Sequence, residues 1–436
     1  MRVLLLNQPY APDNSATAQH CEDLARYLVD RGHEVAVIAS RSIYGESGAK
    51  LPRREDRDGV EVHRVGLSLF GKRGIVLRAI DFGLFYAAAT LKALRIRRPD
   101  VVVTLTTPPF IAAVGGLLKR LRGCAHVYWA MDLYPDVLVA AGISSDDALH
   151  IRLLERLNRR CLRRADRVVV LGRCMEARVR GKSIPPRGVA TIGVWPANPP
   201  RAAADRPLAS TYRDTWDLHG RFVVQYAGNF GLAHDVETIC HAMRRLRDRD
   251  DLRFVFVGGG KRIAAVRNFA AEHGLPNVVF YPYQPREKLD DLLRLADVHL
   301  ISQARAFTGI VVPSKLYGIM AAGRGALFVG PAETEVAHIL HEARAGQAFA
   351  IGRDQALAET IRDLAADPAR ARAWGQHALQ AVAESHTAHH RCAAWESLLL
   401  ETTRPPRTDN FPVTPAGVGE RPRQTSGQIQ PDRRVP

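Results

Sequence analysis

Cysteine is sparse and unpatterned in this 436-residue chain: six residues, Cys21, Cys124, Cys161, Cys174, Cys240 and Cys392, with no Cys-x-x-Cys pair among them. That excludes a disulfide framework and a finger-type metal site, and the scatter reads as reduced thiols of a cytosolic protein. No stretch approaches the roughly 18 apolar residues of a spanning helix. Met1-Arg2 leads directly into a short apolar strand, without the pattern of a signal peptide. No Gly-x-x-x-x-Gly-Lys-Ser/Thr loop is present, so a P-loop NTPase is not expected. Gly258-Gly259-Gly260 lacks dinucleotide spacing, and nothing resembles a serine or cysteine triad. Acidic residues are outnumbered, 45 against 61 Lys and Arg, for a net charge of +16. Such an excess suits nucleic acid, anionic lipid or phosphorylated small molecules. Zinc-finger spacing, RNP-type aromatic strands and a lysine-rich tail are all missing, so nucleic acid is not the expected partner. Part of the excess is simply an Arg- and Ala-rich composition.

What is present is an alternation of strands and helices. Val3–Asn7, Glu34–Ser40, Val101–Leu105, Ala125–Ala130 and Arg167–Leu171 read as buried strands separated by helical segments. Continuous apolar strands of this kind indicate a parallel sheet covered on both faces. Residues 173–220, with Pro185-Pro186, Pro196, Pro199-Pro200 and Pro207, read as a linker. A second set follows at Phe222–Ala227, Phe254–Val257, Val278–Tyr281, Val298–Ile301 and Ala326–Val329. The expected fold is α/β: two Rossmann-like, doubly wound parallel-sheet domains facing across a cleft. The expected boundaries are 1–195 for the first domain, 196–385 for the second, 386–402 for a C-terminal helix and 403–436 for a disordered tail. Ligands of such sheets bind beyond the carboxyl ends of the strands.

Three turns of the second set carry chemistry. Val312-Pro313-Ser314-Lys315 opens a helix with a lysine in its first turn, which is locally unfavourable unless an anion binds there. The alternative is a Ser314 cap beside a solvated Lys315. Tyr226–Gly231 and Val257–Lys261 are glycine turns after strands, where the backbone can approach a ligand closely. Together they suggest a diphosphate site. In the first set, Asp132 within Trp129–Asp136 lies just past a strand, as a hydroxyl-orienting carboxylate or proton acceptor, or as a turn former. Asp136 reads as a capping residue. Asn14 and Ser15, in the loop Gln8–Ala16, either line the cleft or cap a helix. Residues 70–98 join Leu77, Ile80, Leu84, Ala88 and Leu91 at helical spacing with Lys72, Arg73, Arg78 and further basic residues. They make either an interfacial helix on an anionic membrane surface or a core helix with snorkelling ends.

Arg2–Pro12 with Arg31–Val35, Thr106–Pro109, Trp129–Asp136, Tyr226–Gly231, Val257–Gly260, Ala296–Val298 and Val312–Gly323 together resemble the family 4 glycosyltransferases of the GT-B fold. The resemblance is nearest to the branch that builds cell-surface polysaccharide. It implies a retaining transfer from a nucleoside-diphosphate sugar, bound by a nucleotide-sugar domain at 196–385, without metal or other cofactor, to a lipid-linked glycan, bound by an acceptor domain at 1–195. Donor contacts would fall on Gly228, Asn229, Phe230, Gly259, Lys261, Ser314, Lys315 and Glu335, with Asp132 catalytic; Glu335 would either bind a donor hydroxyl or cap the helix it opens. The glutamate pair common in the family is missing, since Ile310 and Gly318 stand at its positions, so donor identity does not carry over. A cytoplasmic protein, peripheral at the inner membrane face if residues 70–98 are interfacial, is the corresponding location. A sugar-nucleotide epimerase and an inactive membrane scaffold of the same shape are the alternatives.

Overall fold

The computed structural model describes residues 1–43, 50–66, 75–182, 188–197 and 210–404. Residues 1–403 form one compact unit. Its first sheet comprises β1 (Arg2–Leu6), β2 (Glu34–Ser40), β3 (Arg54–Arg57), β4 (Val60–Val65), β5 (Val101–Thr104), β6 (Ala125–Ala130), β7 (Arg167–Val170) and β8 (Val189–Thr191). The order is β3-β4-β2-β1-β5-β6-β7-β8, parallel except for β3 against β4. Helices α1 (Ala16–Asp30), α2 (Ile75–Arg95), α3 (Ala112–Arg122), α4 (Asp136–Ala140), α5 (Leu149–Arg164) and α6 (Arg173–Arg180) connect these strands. The second sheet follows α7 (Thr211–Thr215) and comprises β9 (Phe222–Asn229), β10 (Leu252–Gly259), β11 (Val278–Tyr281), β12 (Val298–Ser302), β13 (Gly325–Val329) and β14 (Gly346–Phe349). Its order is β11-β10-β9-β12-β13-β14, parallel throughout. Helices α8 (Glu237–Arg245), α9 (Ile263–Glu272), α10 (Leu289–Arg294), α11 (Lys315–Ala321), α12 (Glu335–Glu342), α13 (Asp354–Ala366), α14 (Pro368–Ala381) and α15 (Ala388–Thr403) complete the chain.

The expected two-sheet α/β architecture is present. Alternate residues of β1 feed two separate cores, Val3 and Leu5 one and Leu4 and Leu6 the other. Burial on both faces is why these strands read as unbroken apolar runs. The differences lie at sheet edges and at the presumed linker. β3 and β4 are a hairpin around Asp58 and Gly59, both at positive φ. β3 is a polar, half-exposed edge strand, so it carries no hydrophobic signal. Within the presumed linker, Arg173–Arg180 form α6 and Val189–Thr191 form β8, which pairs with β7 at the edge of the first sheet. Pro185-Pro186, Pro199-Pro200 and Pro207 lie outside the described residues, as does the expected tail from residue 405 onward.

The expected C-terminal helix at 386–402 is α15, which is set off from α14 by a π-turn, Val382–His386. Beyond it α15 packs on α1, returning the chain to the first sheet. Trp395 is fully buried 4.5 Å from Trp129, and the Glu396 carboxylate accepts from Arg31 at 3.2 Å and meets His33 Nε2 at 2.9 Å.

Strand order reverses at β1 in the first sheet and at β9 in the second. Such switch points open a crevice at the carboxyl ends of the strands. β9 pairs with β12 only at Val224–Val298 and Gln225–His299, so the ends beyond them separate. On its other side β9 stays paired with β10 as far as Gly228–Gly258 and Asn229–Gly259. A Cβ on Gly258 would lie 2.4 Å from the Gly228 carbonyl oxygen, and φ there is +118°. Gly258→Ala should therefore destabilise the protein by about 2 kcal/mol or more. Urea denaturation measures this, and an unchanged midpoint would contradict the close approach.

Candidate functional site

A cavity of about 570 Å³ occupies the β9–β12 crevice and extends to the first domain. Its walls come from Gly228 and Asn229 at the end of β9, Ser302 and Gln303 at the end of β12, and Val312–Lys315 entering α11. Gln303 shapes that entry. Its side-chain amide donates to the carbonyls of Phe307 (3.0 Å) and Val311 (3.1 Å), curling the loop toward the crevice. Lys315 then projects inward, with Nζ 3.8 Å above the Tyr226 ring and donating to the Tyr226 hydroxyl. The same ammonium would be 3.9 Å from a Cβ on Gly228, so the glycine turn faces it directly.

No carboxylate pairs with Lys315 among the described residues. Burial alone pulls its pKa down to about 7. The neighbouring His234 is held neutral, down to about 4, first by burial and then by Lys315 itself. Its ring nitrogens lie 2.7 Å from the Ser302 carbonyl and 3.2 Å from the Tyr226 hydroxyl. The carboxylate on the cavity wall, Asp290, is paired with Arg294 at 3.2 Å. A cation among neutral hydrogen-bonding groups, opposite a glycine turn, has the chemistry to receive an anion.

The expected donor residues divide. Gly228, Asn229, Ser314 and Lys315 line the cavity. Ser314 makes no side-chain cap bond, so the capping alternative has no support in the geometry. Phe230 is a correction: its ring is fully buried and its N–H donates to the Gly259 carbonyl at 2.6 Å, leaving nothing for a ligand. Gly259 does not line the cavity; it lies beneath Tyr283, 3.2 Å from where its Cβ would be. Lys261 is exposed and off the cavity wall. Glu335 is also off it. Its carboxylate takes the Arg173 backbone N–H at 2.7 Å and the Arg173 guanidinium at 3.2 Å, a link between the domains. Ile310 is buried, and Gly318 lines the cavity.

From the first domain Asn14 lines the cavity, and its Oδ1 accepts from Arg286 of the second domain at 3.0 Å. Ser15 does not line it and serves as N-cap of α1, with its own N–H bonded to Asp13. Asp132 lies outside the cavity wall, in the segment whose next residue, Leu133, donates to the Ile310 carbonyl at 3.1 Å. Burial pushes the Asp132 carboxyl up to about 6. Asp136 opens α4 and is held by Arg178 (2.8 Å) and Lys182 (2.9 Å). Burial opposes its charge, yet these two cations hold its pKa below the usual carboxylate range. The sequence reading missed Tyr283, Gln284, Gln19 and Trp195, all on the cavity wall. Tyr283, an aromatic two residues past β11 and 61% exposed, had a usable signal in its position at a strand's carboxyl end.

The lowered Lys315 pKa has a signed consequence. Between about pH 7 and pH 10 the unfolded chain binds a proton here that the empty folded protein does not, so this group makes stability rise with pH. Lys315→Met should stabilise the empty protein at pH 6 by on the order of 1 kcal/mol, the gain fading by about pH 10. Urea titrations at both pH values check this, and a loss of stability at pH 6 would contradict it.

Residues 15–195 match the glycosyl transferase 4-like domain family, and residues 211–381 match the glycosyl transferases group 1 family. The chain is 30% identical over 273 residues to the probable glycosyltransferase WbjE of Pseudomonas aeruginosa, covering 62% of this chain and 67% of that one. It is 26% identical over 349 residues to the putative colanic acid biosynthesis glycosyl transferase WcaI of Escherichia coli (strain K12), covering 78% and 86%. The crystal structure of Anabaena Alr3699/HepE in complex with UDP-glucose superimposes with a TM-score of 0.66, at 15% identity over 92% of this chain and 100% of that one, a likeness of fold. The two domain matches, the WbjE relationship and the paired doubly wound sheets place this chain in the family 4 glycosyltransferases of the GT-B fold.

Proposed function

We propose that this glycosyltransferase moves a sugar from a nucleoside-diphosphate sugar to a hydroxyl of a growing, lipid-linked glycan in exopolysaccharide, capsule or O-antigen assembly. The observation that carries the donor class is the Lys315 ammonium without a carboxylate partner, facing Gly228 at the switch point of the second sheet. The relationship to WcaI, a putative colanic acid biosynthesis glycosyl transferase, and to the glycosyltransferase WbjE, together with the UDP-glucose bound by HepE, supports the same reading. The epimerase alternative needs several acid and base groups in the cavity, but Asp290 is the sole carboxylate on its wall and is already paired. The inactive-scaffold alternative is not favoured either, because the anion site is retained.

In this reading, cleavage of the glycosidic bond builds negative charge on the leaving diphosphate. A protonated Lys315 meets that charge in a site of low polarity, where the interaction is stronger than in water. Tyr226 fixes the ammonium, and the glycines let the main chain close on the phosphates. Neutralisation falls to the lysine, so no metal enters the scheme. Tyr283 offers a flat face beside Gly258 and Gly259 for the nucleobase. Configuration is retained, with a leaving phosphate oxygen taking the acceptor proton and Asp132 orienting the acceptor. With its carboxyl near 6, Asp132 is ionised above neutral pH.

UDP, GDP or ADP should raise the melting temperature of the protein, and Lys315→Ala should abolish that shift and lower turnover about a hundredfold or more. Calorimetry and a radiolabelled transfer assay measure the two effects. No shift with any of the three nucleotides, or full activity in the variant, would sink the donor assignment.

A further inference from the structure

Outside the cavity, α2 of the 70–98 stretch buries Phe85, Ala89 and Ala93 in the core, and Phe70–Arg73 lie outside the described residues. Within the cavity, one polar side chain has no task in the scheme above. His20 lies in the second turn of α1. Ala16, Gln19 and His20, at i, i+3 and i+4, line the cavity from this helix. Cys21, Leu24, Ala25 and Leu28 form the neighbouring face, which is packed in the core. His20 sits at the border of the two faces, so it is only 3% exposed and still reaches the cavity wall.

Its Nδ1 is buried without a hydrogen-bond partner. A buried nitrogen left so carries its desolvation penalty uncompensated, a cost that phenylalanine at this border would not incur. The ring is also held still. It stands edge-to-face with Trp195, centroids 4.8 Å apart and planes at 73°. Trp195 is fixed in turn by donating its indole N–H to Asp23 at 2.8 Å, three residues along α1 from His20. It also meets Trp129 at 6.0 Å, and Trp129 rests on Trp395 of α15 at 4.5 Å. A ring braced through a file of three indoles, with a nitrogen kept free, has the form of a preorganised hydrogen-bonding group.

The first domain brings four polar side chains to this wall: Asn14, Gln19, His20 and Trp195. Three are engaged. Asn14 Oδ1 accepts from Arg286, Gln19 Nε2 donates to the Asn14 carbonyl at 2.8 Å, and the Trp195 N–H goes to Asp23. His20 alone makes no hydrogen bond among the described residues. Burial pulls its pKa down to about 4, so the ring is neutral at physiological pH. A phosphate calls for charge, which this ring lacks and Lys315 supplies. A neutral imidazole has one N–H donor and one acceptor nitrogen, and a sugar hydroxyl both donates and accepts, so the two match in either direction. Such a weak base does not hold the hydroxyl proton at neutral pH; it can only orient the group.

We propose that His20 binds a sugar hydroxyl in this cavity and orients it for transfer. The proposal rests on the transferase reading, which brings two sugars to the cavity, the one carried by the donor and the one at the end of the acceptor. Either can present the hydroxyl, and the two cases differ in which substrate feels the loss of the imidazole.

Two variants of the full chain test it. His20→Phe keeps a ring against Trp195 and removes both nitrogens, whereas His20→Gln keeps a donor and an acceptor. Each is titrated calorimetrically with UDP, GDP, ADP, UDP-glucose, GDP-mannose and ADP-glucose, and assayed for transfer of radiolabelled sugar to a membrane lipid extract. His20→Phe should melt no lower than the parent and bind the free nucleoside diphosphate equally well. Its kcat/KM for transfer should fall about tenfold or more, and His20→Gln should recover part of the loss. If the hydroxyl is the donor sugar's, His20→Phe also binds the sugar nucleotide about tenfold more weakly. If it is the acceptor's, sugar-nucleotide affinity stays at the parent value and KM for the lipid extract rises. Full transfer activity in His20→Phe, or a loss that His20→Gln does not relieve, would overturn the proposal. Failure of the parent protein to bind any of the six nucleotides would overturn the transferase reading, and this proposal with it.

Discussion

The site is organised around one unneutralised charge. Lys315 is brought into a half-closed crevice with a phenol ring beneath it, a hydroxyl to hold it and a glycine across from it. A carboxylate there would make a stable ion pair and a useless anion site. Without one, the ammonium is costly in the empty protein, and the cost is borne by tertiary packing that leaves the side chain nowhere else to go. Gln303 pins the loop that delivers it, and burial keeps His234 uncharged beside it. Sacrificing local stability to preorganise charge is the expected arrangement where charge develops during reaction.

Cleft geometry depends on close contact between the two domains. A Cβ on Gly309 would lie 2.6 Å from the Cys174 carbonyl, and one on Gly172 would lie 2.7 Å from the Glu335 side chain. Leu133 bonds across to Ile310 and Asn14 to Arg286. α15 adds a further tie by running from the second domain onto α1. Asp132 is thereby fixed next to the loop that ends in Ser314 and Lys315, which is what an acceptor-orienting group requires.

The sequence made the sheets legible because their central strands are buried on both faces and appear as Val- and Leu-rich runs. Edge strands such as β3 lacked that signal, and α6 and β8 were hidden by the prolines around them. Residue type and position sufficed to expect Gly228, Asn229, Ser314 and Lys315 around one crevice, and they line the same cavity. Whether a given N–H stayed free could not be read, and Phe230 was lost to a bond with Gly259 that only strand pairing creates. The ion pair of Glu335 with Arg173 could not be read either, because the two residues are 162 positions apart in sequence. Tyr283 was missed because a lone aromatic in a loop has no periodicity.

Proton linkage tests the central claim most directly. If a diphosphate occupies the space between Gly228 and Lys315, binding must return the lysine from a pKa of about 7 toward its ordinary value. Calorimetric titration of the active nucleoside diphosphate at pH 8.5, in two buffers of different ionisation enthalpy, should show uptake of about one proton per nucleotide. The uptake should vanish in Lys315→Met. Tight binding with no proton taken up would show that the nucleotide does not engage Lys315, and would contradict the account.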